Sequence, residues 1–172
     1  MRLAVRALSI VLCLASLARA GTAAGDEEVR AFCGANAARL AASTPAEFAR
    51  WLRTEGRADF LPNARIRIHA DGKTETFSRD RYLRETAAEI AALRSYDERL
   101  SDLRVLRRGE EVVCVAEVEQ RAALAQGDGV VHLRGRLQTR AWVVEKGGRL
   151  KVSRLEAYQV EKQAVAGREK GA

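Results

Sequence analysis

The spacing of apolar positions changes twice along the chain. Residues 7–18 form an apolar run of twelve behind Arg2 and Arg6. From Asp26 to about residue 43, Val29, Phe32, Cys33, Asn36, Ala37 and Leu40 recur at three- or four-residue intervals. That spacing predicts a helix with one face inward, and Asp26, Glu27 and Glu28 suit its positive N-terminal end. A second helix is expected over 45–60. Thr44 serves as its N-cap, Pro45 opens it and Glu47 completes a capping box. Phe48, Trp51 and Leu52 share its apolar face, and Pro62-Asn63 ends it. Two short strands, 64–70 and 74–77, flank the hairpin signal Asp71-Gly72. A third helix starts at Ser78 or Asp80 and runs to about residue 93, with Tyr82, Leu83, Thr86, Ile90 and Leu93 inward. Beyond Tyr96 the period falls to two. Strands are expected over 96–107, 110–124, 129–146 and 149–160, separated by Arg108-Gly109, residues 126–129 and Gly147-Gly148. The stretch from Glu161 to Ala172 is polar and reads as a frayed, flexible tail.

Helices first and long strands last give an α+β domain. The expected architecture is three N-terminal helices packed on one face of a curved antiparallel sheet, forming a cone with a pocket. One domain covers 26–160, with no linker long enough to divide it.

The N-terminal run changes what the composition means. Basic residues, an apolar stretch of twelve and the small-x-small site Ala18-Arg19-Ala20 have the order of a secretory signal peptide over 1–20. Thr22-Ala23-Ala24 offers a second cleavage site. Twelve residues are too few to span a bilayer, so no stable membrane insertion is expected after cleavage. The whole chain of 172 residues carries net +7, and loss of the three arginines of this segment leaves +4. That mild excess, without a clustered basic face, argues against a nucleic-acid partner. Arg outnumbers Lys 25 to 5. This bias suggests a GC-rich bacterial source and hence a periplasmic or secreted protein.

Cleavage would remove Cys13 and leave Cys33 and Cys114. Helix spacing points Cys33 inward, and alternation places Cys114 with Val112, Ala116 and Val118 on the more apolar phase of its strand. Two buried free thiols are one outcome. In an oxidising compartment an even pair favours the other, a Cys33–Cys114 disulfide.

Several local sequences carry a family resemblance. They are Ala46-Glu47-Phe48-Ala49-Arg50-Trp51, Phe60-Leu61-Pro62-Asn63-Ala64, Asp71-Gly72 and Ser78-Arg79-Asp80-Arg81-Tyr82-Leu83. Tyr96-Asp97 and Gly147-Gly148-Arg149-Leu150-Lys151-Val152 follow. In this order the chain resembles the nuclear transport factor two-like superfamily, with its SnoaL-like and ketosteroid isomerase-like branches, over nearly all of 26–160. The resemblance implies a cone-shaped α+β fold whose enzymes use polar groups inside the cone. Isomerases there pair an acid with a hydroxyl or protonated acid, and dehydratase-like members pair His with an acid. It also implies homodimers through the outer sheet face.

The search for such groups yields few. His69 and His132 fall on outward phases, and neither they nor the cysteines have metal-ligand spacing. No metal and no cofactor are expected. Asn36, Tyr82 and Glu156 are the catalytic candidates, and Trp51, Thr86, Thr139 and Tyr158 the pocket candidates. Each also reads as an ordinary core or surface residue. Asp97 and Asp102 would enter the pocket only if a bulge shifted their strand. On the outer face a hairpin about residues 126–127 would set Glu119 near Arg134 and Glu117 near Arg136. Trp142 and Val144 would suit a homodimer, unless a bulge turns Trp142 inward. With no inward acid–hydroxyl set in view, the leading reading is an exported module binding a small apolar ligand or a partner. The alternative is a SnoaL-like isomerase, cyclase or hydrolase acting on a small apolar molecule.

Overall fold

The computed structural model describes residues 24–126 and 129–167. The expected signal peptide, residues 1–20, and residues 168–172 lie outside the described residues. Helix α1 spans Asp26–Ala41 and α2 spans Pro45–Arg53. The Thr44 capping box is formed in full, with the Glu47 N–H donating to the Thr44 hydroxyl and the Thr44 N–H donating to the Glu47 carboxylate. α2 stops short of the expected residue 60. Glu55–Asp59 instead makes a 3-10 turn that passes Gly56 beneath Trp51. A Cβ at Gly56 would come within 3.1 Å of that ring, so glycine permits the close approach.

Strands β1 (Phe60–Ala70) and β2 (Lys73–Ser78) follow, then α3 (Arg79–Ala91), β3 (Ser95–Arg108), β4 (Glu111–Gln126), β5 (Gly129–Glu145) and β6 (Leu150–Gly167). Asp71 and Gly72 both take positive φ between β1 and β2, as a two-residue hairpin turn requires. The strands form one sheet in the order β2-β1-β6-β5-β4-β3. The sheet is mixed, which corrects the antiparallel expectation: β1 pairs with β6 in parallel, Ile66 opposite Leu155 and Ile68 opposite Ala157. Local turn signals reveal only hairpin neighbours, and this pair is separated by α3 and four strands. The expected tail is also corrected over 161–167, where β6 continues and pairs with β5.

Alternation sorts each strand onto two faces. Ile66, Ile68, Cys114, Ala116, Val118, Leu133, Leu137, Ala141, Leu155 and Ala157 are buried on the concave face. Val29, Phe32, Leu40, Phe48, Leu52, Leu83 and Ile90 from the three helices pack into the same core. Cys33 and Cys114 form a disulfide with Cα atoms 6.6 Å apart, fastening α1 to β4.

Candidate functional site

β3 begins with even-numbered residues inward. Tyr96 and Glu98 are buried, and they lie opposite Ala122 and Gln120 of β4. A register shift between Leu100 and Asp102 admits Ser101 as an extra residue. After it the odd-numbered Leu103 and Val105 pack against the core. The strand does carry a bulge, yet Asp97 and Asp102 lie on the outer phase on either side of it, while Glu98 faces inward.

Three polar side chains meet there. The Tyr96 hydroxyl donates to Glu98 Oε2 at 2.8 Å. The Gln120 amide donates to the Tyr96 oxygen at 2.6 Å and to Glu98 Oε2 at 2.9 Å. Glu98 is 4 % exposed and Gln120 1 %. Burial raises the Glu98 carboxyl to about 7, even though the hydrogen bonds from Gln120 and Tyr96 favour its ionised form. The Tyr96 phenol is pushed well up, first by burial and then by the Glu98 charge and hydrogen bond, with Tyr82 contributing further. Near neutrality such a carboxyl exists in both forms. It can accept a proton or return one, and its protonated form can donate a hydrogen bond.

Neither Glu98 nor Gln120 was expected from the sequence. The signal lay in continuing two phases already visible: Tyr96 through Glu98 to Leu100, and Val112 through Val118 to Gln120. Of the expected residues, Tyr82, Thr86, Thr139 and Trp51 are buried. Tyr82 lies edge-on to Phe60 and Phe77, with ring centroids 6.2 and 6.3 Å away. The Thr139 hydroxyl donates to the Ala116 carbonyl at 3.4 Å. Trp51 stacks on Phe48 at 5.5 Å beneath the Arg39 guanidinium. Asn36 belongs to α1, but its side chain lies outside the described residues.

Glu156 and Tyr158 are on the opposite face of the sheet from Thr139, since Leu155 and Ala157 between and beside them fill the concave side. Glu156 is nonetheless buried. It accepts hydrogen bonds from two nitrogens of Arg154 and, at 2.8 Å, from the Tyr158 hydroxyl, with Arg67 3.6 Å away. Burial pushes its carboxyl up, but these hydrogen bonds and charges outweigh it and hold the group below its usual range. The His69 ring stacks parallel to Tyr158 at 4.3 Å. Trp142 faces outward under Arg154, its ring centroid 4.2 Å from the guanidinium carbon. The neighbouring hairpin register is shifted from expectation: Glu119 opposes Arg136, Arg121 opposes Arg134, and Glu117 opposes Gln138. The last pair before the turn is Gln126 opposite Gly129.

No protein-family model matches the chain, and no curated protein matches it by sequence. Solved structures do match in shape. A putative scytalone dehydratase from Novosphingobium aromaticivorans is 17% identical, with a TM-score of 0.52 over 78% of this chain and 91% of its own. A type 2 hexachlorocyclohexane dehydrochlorinase, LinA, is 16% identical, with a TM-score of 0.53 over 79% and 94%. A Kribbella flavida protein, Kfla4162, is 16% identical, with a TM-score of 0.50 over 80% and 95%. The fold is that of the nuclear transport factor two-like superfamily. At these identities the likeness is one of fold, so the chemistry of this nuclear transport factor two-like cone rests on its own residues. Tyr96, Glu98 and Gln120 stand on its concave face. Among the described residues, no group of three or more His, Cys, Asp or Glu is placed to hold a metal ion.

Proposed function

We propose that the protein binds a small, mostly apolar molecule inside its cone, with Tyr96, Glu98 and Gln120 as the polar end of the site. The observation that carries this is a carboxyl, a phenol and a carboxamide joined by hydrogen bonds on the concave face, among buried apolar side chains. Burying such groups is costly unless they are partnered, and a few convergent polar groups in an apolar enclosure is the usual make-up of a small-molecule site. The Glu98 carboxyl near 7 favours a second reading, proton transfer of the isomerase, cyclase or hydrolase type. Glu98 would take a proton from the substrate and return it; once it is protonated, the Tyr96 hydroxyl is free to turn from Glu98 and donate to the oxygen that gains charge.

Binding of 2-naphthol and of naphthalene, followed by fluorescence, tests the first reading. Glu98→Gln and Tyr96→Phe should weaken 2-naphthol by about tenfold, the worth of roughly one good hydrogen bond, and leave naphthalene unchanged. Equal effects on both compounds, or no binding of either, would defeat it. Deuterium uptake from D2O into cyclic ketones, lost in Glu98→Gln, would support the proton-transfer reading.

We also infer that the protein works in the periplasm or after secretion. The Cys33–Cys114 disulfide supports an oxidising compartment, and among the described residues no helix is long and apolar enough to cross a membrane. Intact mass of the exported protein should lack residues 1–20. A full-length chain held only in the cytosol would refute this. A homodimer seated on Trp142 and Val144 would adjoin four outward arginines. Sedimentation equilibrium decides whether two copies associate there.

A further inference from the structure

The outer face of β1, β6 and β5 presents nine side chains in three cross-strand rows. Arg65, Arg154 and Trp142 form the first, Arg67, Glu156 and Arg140 the second, and His69, Tyr158 and Gln138 the third. Neighbouring strands are about 4.8 Å apart, and alternate residues along a strand about 6.7 Å. Four guanidiniums therefore share a patch roughly 10 by 13 Å across with one carboxylate. Like charges directly opposite one another, as Arg65 and Arg154 are, oppose folding.

Glu156 offsets only part of this charge. Its ion pairs go to Arg154 and Arg67, and Arg65 and Arg140 have no ion pair among the described residues. The carboxylate is itself sealed in: its side chain is 6% exposed, against 44% for Arg154 and 46% for Arg67. It thus acts as an internal strut. Two nitrogens of Arg154 are fixed on it while the plane of that guanidinium rests on Trp142. Arg140 lies over the Tyr158 ring, whose hydroxyl is tied to the same carboxylate. The N–H groups of Arg67, Arg140 and Arg154 not used on Glu156 are left for solvent or a ligand.

We propose that this array is a binding site for a phosphate-class oxyanion, held by Arg67, Arg140 and Arg154 over the Glu156 strut. Planar, pre-oriented guanidiniums match the paired oxygens of phosphate better than flexible ammonium groups do. The oxyanion supplies the negative charge that the array lacks. The site is separate from the interior trio and does not depend on the function proposed for it.

The test is titration of the whole exported protein with inorganic phosphate and pyrophosphate at low ionic strength, read by the Trp142 indole N–H resonance. Saturable shifts are expected, with pyrophosphate the tighter. Arg140→Glu and Arg67→Glu should each weaken pyrophosphate at least tenfold. Arg84→Glu, on the exposed face of α3, makes the same change in net charge and should alter affinity less than twofold. Arg140→Gln repeats the measurement if a charge reversal disturbs folding. Vesicles of phosphatidylglycerol, with phosphatidylcholine as control, separate a lipid headgroup from a free anion: Arg140-dependent binding to the first alone assigns the headgroup. Shifts that do not saturate with any of these probes, or equal losses in Arg84→Glu and Arg140→Glu, would overturn the site.

Discussion

Between about pH 4.5 and 7 the carboxyl of Glu98 holds its proton in the folded protein and loses it in the unfolded chain. The native state binds more protons across that window, so stability must fall as pH rises through it. With the carboxyl at about 7 against an ordinary 4.5, the loss is on the order of 3 kcal/mol once the pH exceeds 7. Glu98→Gln keeps the shape and the acceptor oxygen but cannot ionise. Urea unfolding at pH 4.5, 5.5, 6.5 and 7.5 should show the native protein weakening steadily while the variant stays flat over this range. Parallel slopes for the two proteins would mean that another group carries the dependence. Glu156 has the opposite sign. Held below its usual range, it lends stability that is present above the ordinary carboxylate pKa and lost as pH falls through its own. Of these two carboxylates, the sequence points to Glu156 alone. Glu98 stands next to Asp97 in a charged stretch, and the bulge at Ser101 reverses the inward phase three residues later, so one alternation does not run through the whole strand.

α1 is an element whose attachments can be named one by one. Val29, Phe32, Cys33 and Leu40 are buried beneath it. Asp26 pairs with Arg107 at 2.5 Å, and Leu103 lies 3.8 Å from where a Cβ on Gly34 would stand. The disulfide is the covalent member of this set. Closing a loop across 81 residues contributes about 4.5 kcal/mol in the chain-entropy model, an upper figure. Reduction should therefore loosen α1 before the sheet. In hydrogen exchange after mild reduction, the amides of α1 should lose protection by at least tenfold while those of β4 and β5 keep it. Uniform loss across both would show that the bridge stabilises the whole domain and does not pin one helix. Elements of this kind were readable from the sequence because local chemistry defines them: the Thr44-Pro45-Glu47 cap, the Asp71-Gly72 turn, and the inward spacing of Cys33 and Cys114. What escaped was non-local. Trp51 closing over Gly56 ends α2 early, and the pairing of β1 with β6 joins segments about ninety residues apart.

That parallel pairing governs how the whole molecule holds together. β1 and β2 adjoin the long antiparallel strands only through β6, which lies between β1 and β5. On the concave side Leu155, Val152 and Ala157 of β6 are fully buried at the centre of the core. β1 and β2 therefore have no sheet partner but each other until the last strand exists, and this long-range contact is the slow kind to form. The two ends of β6 differ, because β1 pairs with it only as far as Tyr158. Beyond that point, residues 161–167 have only β5 as a sheet partner, and Lys162 adds one ion pair to Asp71 of the β1–β2 turn. A chain ending at residue 160 should keep cooperative urea unfolding and its circular-dichroism spectrum, with stability reduced by no more than a few kcal/mol. A chain ending at Glu145 should show no cooperative transition at all, since it loses the strand that joins its halves. Cooperative unfolding of that shorter chain would mean that β1, β2 and the helices find the sheet without β6, and the central place assigned to the last strand would be wrong.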